Sequence, residues 1–480
     1  TLSACTVVIP SRRLRMSPPS GANGWLSNLN HSVSPDLSSF CGIVSVSQVQ
    51  TLASINRRVA WRLMPILVLV YVLGQLDRVN VSFAALTMNR DLGFSAAVYG
   101  LGASLFFLGY LVFQLPANLM LQRFGARRLI AVIMVVWGLV SASTALVTNA
   151  AEFYAVRLLL GVAESGLYPC IMLYITYWFA RQNRAMAVSL FTLSVPIAGV
   201  LGSPLSGWIM QYFDQTAGLA GWQWLFILEG LPCSVLAVGV LLMLTDRPRQ
   251  ARWLTADQRA GLINQLDQEQ RADGAVQAGN EPAGGVWAAM SAKPVWWLAA
   301  INFLYTGALV GALYWLPKAV VRAAPALGEA AIGWHVGLPY LAFAVSALLW
   351  GWSSDRHGER FWHPLSGMVL TGAALFWLAV DLDLPSTDMA ITLLMFGIGA
   401  GFGSFWSMTT TVLPAHLAAA GIALVNITGS LGSFAGIALS GQVINAAGQT
   451  GAGFLLLSGA TVVAIVLMLA GRSVLNMRSA

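Results

Sequence analysis

Five ionisable residues stand inside stretches that are otherwise apolar: Asp77 and Arg78, Arg157 and Glu164, and Glu229. An ionisable side chain in the hydrocarbon of a bilayer costs at least about 2.5–3.5 kcal/mol on insertion scales, so each is a candidate for function. Arginine keeps its charge and offers a planar fork that fits a carboxylate, which makes Arg78 and Arg157 a candidate anion clamp. A carboxylate held away from water can carry a proton at neutral pH, so Asp77 and Glu164 are candidate proton carriers. Glu164 follows Arg157 by two helical turns on nearly the same face, about 10 Å along the axis. An anion on the arginines would strip the acids of their counter-charge and favour their protonation, a linkage that acts in both directions. The competing reading is of neutral buried pairs that only hold helices together, since breaking one costs about 3–5 kcal/mol. Glu229, within GWQWLFILEGLP at 221–232, is read as a packing group near helix ends.

These residues need long apolar helices to hold them. The 480-residue chain is 57% hydrophobic and only 9% charged, against about 25% charged for a soluble domain. Stretches near the length of about 20 residues that a spanning helix needs occur at 63–86, 98–121, 128–148, 153–176, 185–210 and 224–244. Six more follow at 295–317, 334–353, 362–380, 389–412, 418–442 and 452–471. The fold class is therefore an all-α polytopic membrane protein with twelve transmembrane helices. Arg78, about 22 Å from the start of its span, and Arg157, just inside an oppositely running one, then reach one depth. Lys and Arg cluster in alternate loops, at Arg57, Arg58 and Arg62, at Arg123, Arg127 and Arg128, at Arg181 and Arg184, and through the central loop. This asymmetry places both termini in the cytoplasm. The net charge of +7 is accounted for by topology, which leaves no nucleic-acid partner to infer.

Residues 57–244 and 294–475 are read as two six-helix bundles, joined by a charged cytoplasmic linker over 245–293. Residues 1–56, rich in Ser, Pro, Gly and Asn, are read as a disordered cytoplasmic tail, in part an extension of the gene model, since Met16 is in frame. Each half carries a similar turn between its second and third spans: NLMLQRFGAR at 118–127 and GWSSDRHGER at 351–360. Glycine permits the tight turn, and the charges can engage helix ends of the neighbouring bundle. Arg123, Gly125, Arg127, Asp355, Arg356 and Gly358 are therefore read as a conformational latch. The recurrence of the turn in both halves supports internal duplication of the chain.

The doubled pattern resembles the cytoplasmic motif of the major facilitator superfamily. The second copy has Gly351, Asp355, Arg356 and Gly358 in place, whereas the first has Asn118 and Gln122 where that family usually has Gly and Asp. PxNxxxxxxGARR at 116–128 is similar to one branch, the anion:cation symporters, as are LDRVN at 76–80, RLLLGVAESG at 157–166 and GWQWLFILEGLP. The resemblance implies that the arginines bind substrate and that Asp77 and Glu164 carry protons. It places Gln75, Tyr110, Trp406 and Asn426 among the cavity residues, where they can stack on or hydrogen-bond a substrate. Gly432 and Gly436 on the eleventh span, and Gly199, Gly202 and Gly207 on the fifth, suit close helix contact.

No GxxxxGK, HExxH or spaced cysteine pattern is present, so no cofactor, metal or enzyme activity is inferred. The expectation is a monomeric, proton-coupled symporter of a bacterial inner membrane that imports a small carboxylate, an aromatic or hydroxy acid, by alternating access. Its rivals are an anion exchanger or drug exporter of the same fold, and a carboxylate sensor that transports nothing.

Overall fold

The computed structural model describes residues 46–279, 286–380 and 382–472. Residues 1–45 of the expected tail lie outside the described residues. The remainder of that segment, from Val46, is helical and opens α1 (Val46–Ala84). From Thr51 onward the chain forms one compact unit. Among the described residues every regular element is a helix.

After α1 come α2 (Ala96–Phe124), α3 (Ala126–Ser143), α4 (Ala150–Trp178), α5 (Arg181–Tyr212) and α6 (Gly221–Met243). The linker is itself partly helical, over Ala256–Gly279 and Val286–Ser291. The second half comprises α7 (Lys293–Leu313), α8 (Glu329–His357), α9 (Trp362–Ala379), α10 (Leu384–Val412), α11 (Ala415–Ala447) and α12 (Thr450–Ala470). Eleven of these are long and apolar enough to cross a membrane. The remaining one, α9, matches the expected span at 362–380 and opens on Trp362, His363 and Pro364, which lower its hydropathy; it packs between α10 and α12. Three spans are broken, α4 at Ser165–Gly166, α5 at Leu193 and α8 at Leu338–Pro339. Proline lacks the N–H that would continue the ladder at Pro339.

Small residues set the closest helix approaches, because without a Cβ two backbones can meet. At Gly161 on α4 an added Cβ would overlap the Phe106 carbonyl of α2, and at Gly109 on α2 it would overlap the Leu158 carbonyl of α4. The expected GxxxG at Gly432 and Gly436 of α11 lies against Phe303 and Gly307 of α7. The two halves meet through α2 with α11 and α5 with α8. Gly100 faces Gly441, Gly207 faces Glu329, and Gly333 faces Ser203. These contacts fall where α2 and α8 begin and where α5 and α11 finish, the end of the bundle opposite to the start of α1. The halves are therefore closed on each other at that end.

Candidate functional site

The α2–α4 crossing fixed by Gly109 and Gly161 presses the Arg157 and Glu164 face of α4 against Phe106 and Tyr110 of α2. Arg78 approaches from α1. Its Nε lies 3.0 Å from Glu164 Oε2, with Glu164 wholly buried and Arg78 21% exposed. The Arg78 guanidinium lies 5.3 Å from the Phe106 ring centre and 5.1 Å from that of Tyr110. The Arg157 guanidinium is 5.4 Å from the same Phe106 ring. One phenyl ring thus has a guanidinium near it from each of two helices, a favourable placement for cations.

The two arginines differ in what else they hold. Arg157 has no solvent exposure, and its Nε, Nη1 and Nη2 all lack hydrogen-bond partners. A buried cation without hydrogen-bond partners is costly, and oxygen acceptors beside it lower that cost. Glu164 uses one carboxylate oxygen for Arg78 and leaves Oε1 unpartnered.

Asp77 sits next to Arg78 in sequence but turns into the α1–α3 contact. Asn80 Nδ2 donates to its Oδ1 at 3.1 Å and Trp137 Nε1 to its Oδ2 at 3.0 Å, while Ser141 Oγ also donates to Oδ1. Glu229 lies well inside α6, not at its end, where Ser206 Oγ donates to Oε1 at 2.8 Å and Oε2 has no partner. Two buried carboxylates therefore occupy the first half beyond the Arg78–Glu164 pair.

The second half contributes a residue the sequence reading missed. Tyr314, at the break after α7, is 5% exposed, its hydroxyl has no partner, and it lies within electrostatic reach of Arg157 and Arg78. Its ring is 6.2 Å from Phe107, the neighbour of Phe106. The nearby Pro317 signals a helix break, but only the packed halves show that the break turns Tyr314 toward the arginines.

Of the other expected cavity residues, Tyr110 stands against Arg78 and Gln75 is half-buried on α1. Trp406 packs edge-on to Phe405 at 5.9 Å and Asn426 is exposed on α11. Neither shares a hydrogen bond or ring contact with the arginines among the described residues.

The latch residues engage partners in their own half or at the start of the linker. Gly125, at φ +80°, brings its turn against Asp246, which accepts from the Arg127 backbone N–H at 3.0 Å, and the Arg127 guanidinium donates to the Leu241 carbonyl. Arg123 lies over its neighbour Phe124. Asp355 pairs with Arg360 at 2.8 Å, Arg356 lies over Trp352, and Gly358 closes α8 at φ +65°. Among the described residues no group of three or more His, Cys, Asp or Glu side chains could hold a metal.

The sequence profile described as Major Facilitator Superfamily matches residues 67–437 and 321–477. A protein of Agrobacterium vitis named "Putative tartrate transporter" is 38% identical over 417 residues, 87% of this chain and 91% of the relative. A "Quinolone resistance transporter" of Acinetobacter baumannii is 35% identical over 403 residues, 84% of this chain and 91% of the relative. Among solved structures, an inward open conformation of the xylose transporter XylE from E. coli superposes with a TM-score of 0.67 at 14% identity, covering 85% of this chain and 95% of that one.

Proposed function

We propose that this chain, which belongs to the Major Facilitator Superfamily and is a multi-pass membrane protein, carries a small organic carboxylate across a bacterial inner membrane together with protons. The observation that carries this reading is Arg157: a fully buried guanidinium whose three nitrogens have no hydrogen-bond partner in the protein is suited to a carboxylate. The tartrate-transporter name of a relative 38% identical supports an organic acid as cargo.

Coupling follows from competition for Arg78. A carboxylate bridging Arg157 and Arg78 takes the place of Glu164 on Arg78. Glu164, buried and without a counter-charge, then binds a proton. Release of the anion restores the ion pair and expels the proton, so each ligand raises the affinity for the other. Tyr314 reaches the same anion from the second half, which ties occupancy to the relative position of the two halves. With both termini cytoplasmic by charge asymmetry, the closed end faces outward and the state is inward-facing. The inward proton gradient then drives import.

A second reading, export or exchange without protons, draws support from the quinolone-resistance relative. Glu164→Gln in proteoliposomes separates the two. Symport predicts loss of gradient-driven accumulation with counterflow retained, and unchanged accumulation would remove the proton role from Glu164.

A further inference from the structure

Lys293 and Lys318 are the only lysines in the sequence; every other basic side chain apart from histidine is arginine. Lys318 belongs to the short helix Leu316–Ala323, just past α7 at the closed end. Its Nζ lies 5.3 Å from the Tyr99 ring centre and 5.1 Å from that of Trp315. Those two rings meet edge-on at 5.1 Å, and the Tyr99 hydroxyl donates to the Tyr314 carbonyl at 3.1 Å. Tyr99 comes from α2 in the first half, whereas Lys318, Trp315 and Tyr314 come from the second. The cage around the ammonium is thus assembled from both halves.

Among the described residues no carboxylate pairs with Lys318. Burial, with no neighbouring acid to oppose it, holds its pKa down, to about 8. Arg157 lies within electrostatic reach of Tyr99, one ring of that pair, and of Tyr314. Two cations without a hydrogen-bonded acid therefore share Tyr99 as a neighbour, Lys318 at the closed end and Arg157 two turns into α4 from that end.

We infer that Lys318 is an outer anion site, which receives the carboxylate of the incoming substrate when the two halves part at this end and hands it past Tyr314 to Arg157. The inference rests on the carboxylate reading proposed above. Parting of the halves withdraws Tyr99 from the cage, so the ammonium loses one of its two ring partners at the moment the site opens, and an anion replaces it. A cation at the mouth of a low-dielectric cleft also raises the local concentration of anions. Lysine suits a transient station, since its single ammonium holds a carboxylate less rigidly than the two-pronged guanidinium to which the anion passes.

The test uses oriented proteoliposomes with tartrate, phthalate and hydroxyphenylacetate as probes, added separately from outside and from inside. Lys318→Gln is expected to raise the external half-saturation concentration about fivefold and leave the internal one unchanged, and Lys318→Arg to restore most of the loss. On the wild-type protein, a transported probe added outside should slow acetylation of Lys318 by an impermeant amine reagent, read by mass spectrometry. A residue that merely pins the halves together would instead shift the balance of states and move the two constants in opposite directions. That pattern, or equal constants for Lys318→Gln and wild type, or no protection of Lys318, would overturn the outer site alone. Wild-type protein that moves none of the three acids would overturn the carboxylate reading and this site with it.

Discussion

Arg78 and Glu164 meet at 3.0 Å across the α1–α4 boundary, beside the Phe106 ring, while Arg157, near the same ring, has no hydrogen-bond partner. The acid two turns along α4 from Arg157 thus serves the other arginine. One cation is paired with a carboxylate, and the other feels Asp77 and Glu164 only at a distance, with no hydrogen bond to either. On the proposed reading, an anion that enters here meets a charge that needs no displacement first and a second that releases Glu164 when it is taken.

Because Arg157 is a buried charge without partners, its replacement by a residue of similar volume should relieve the empty transporter. Arg157→Met is expected to raise the unfolding temperature in detergent, in line with gains of about 1–4 kcal/mol when buried charged groups give way to packed apolar ones. It should also abolish the thermal shift that a bound carboxylate produces in wild type. A lower unfolding temperature for the variant would mean that Arg157 has a stabilising partner in the membrane.

The ion pair should behave oppositely. Arg78→Met or Glu164→Met alone strands a buried charge and should cost about 3–5 kcal/mol, while the double variant should recover much of the loss. Equilibrium unfolding of the three proteins gives the coupling directly; additive losses would show that the two side chains do not depend on each other.

The α2–α4 crossing predicts a positional effect without charge. Gly161→Val places a branched side chain against the Phe106 carbonyl, with no room for a single added carbon. It should displace α4 and weaken carboxylate binding more than tenfold, even though no binding group is changed, since misplacement of about 1 Å is enough to cost such factors. Gly239→Val on α6, where an added Cβ meets nothing within 4 Å, should leave binding at the wild-type level and serves as the control in the same titration.

In the turn before α9, Glu359 accepts from the backbone N–H groups of Phe361, Trp362 and His363 and from the His363 ring. Burial alone would raise its pKa, but the bonds from His363, Trp362 and Phe361 outweigh it and hold the carboxyl below the usual range. A depressed folded-state pKa stabilises above the unfolded value of about 4.3 and is lost as pH falls through the folded one. Glu359→Gln should therefore unfold at a lower temperature than wild type at pH 7, with the difference shrinking below about pH 4. A gap that persists unchanged at pH 3 would show that the carboxylate charge is not what caps α9.

Much of this architecture is legible before folding. Apolar length gave the spans, and Gly432 with Gly436 announced a close helix contact on α11, whose partner, α7, only the fold reveals. A charge inside a span announced each of Asp77, Arg78, Arg157, Glu164 and Glu229, because bilayers make such residues rare. What sequence left open was pairing. Adjacent residues on a helix point about 100° apart, so Asp77 and Arg78 were bound to face different neighbours; which neighbours depends on how α1 rotates against α3 and α4. Tyr314 escaped notice because a tyrosine at a helix break carries no such signal. Its place beside the arginines exists only once the break after α7 in one half meets α2 of the other.

The most direct test of the account is proton movement. In proteoliposomes with a pH dye trapped inside, tartrate, phthalate and hydroxyphenylacetate are added outside in turn, with Arg157→Ala as the comparison. The account predicts internal acidification by at least one acid with the wild type and none with the variant. Carboxylate binding or uptake by the wild type with no proton entry under any imposed gradient would contradict symport, and equal acidification by the variant would remove Arg157 from the site.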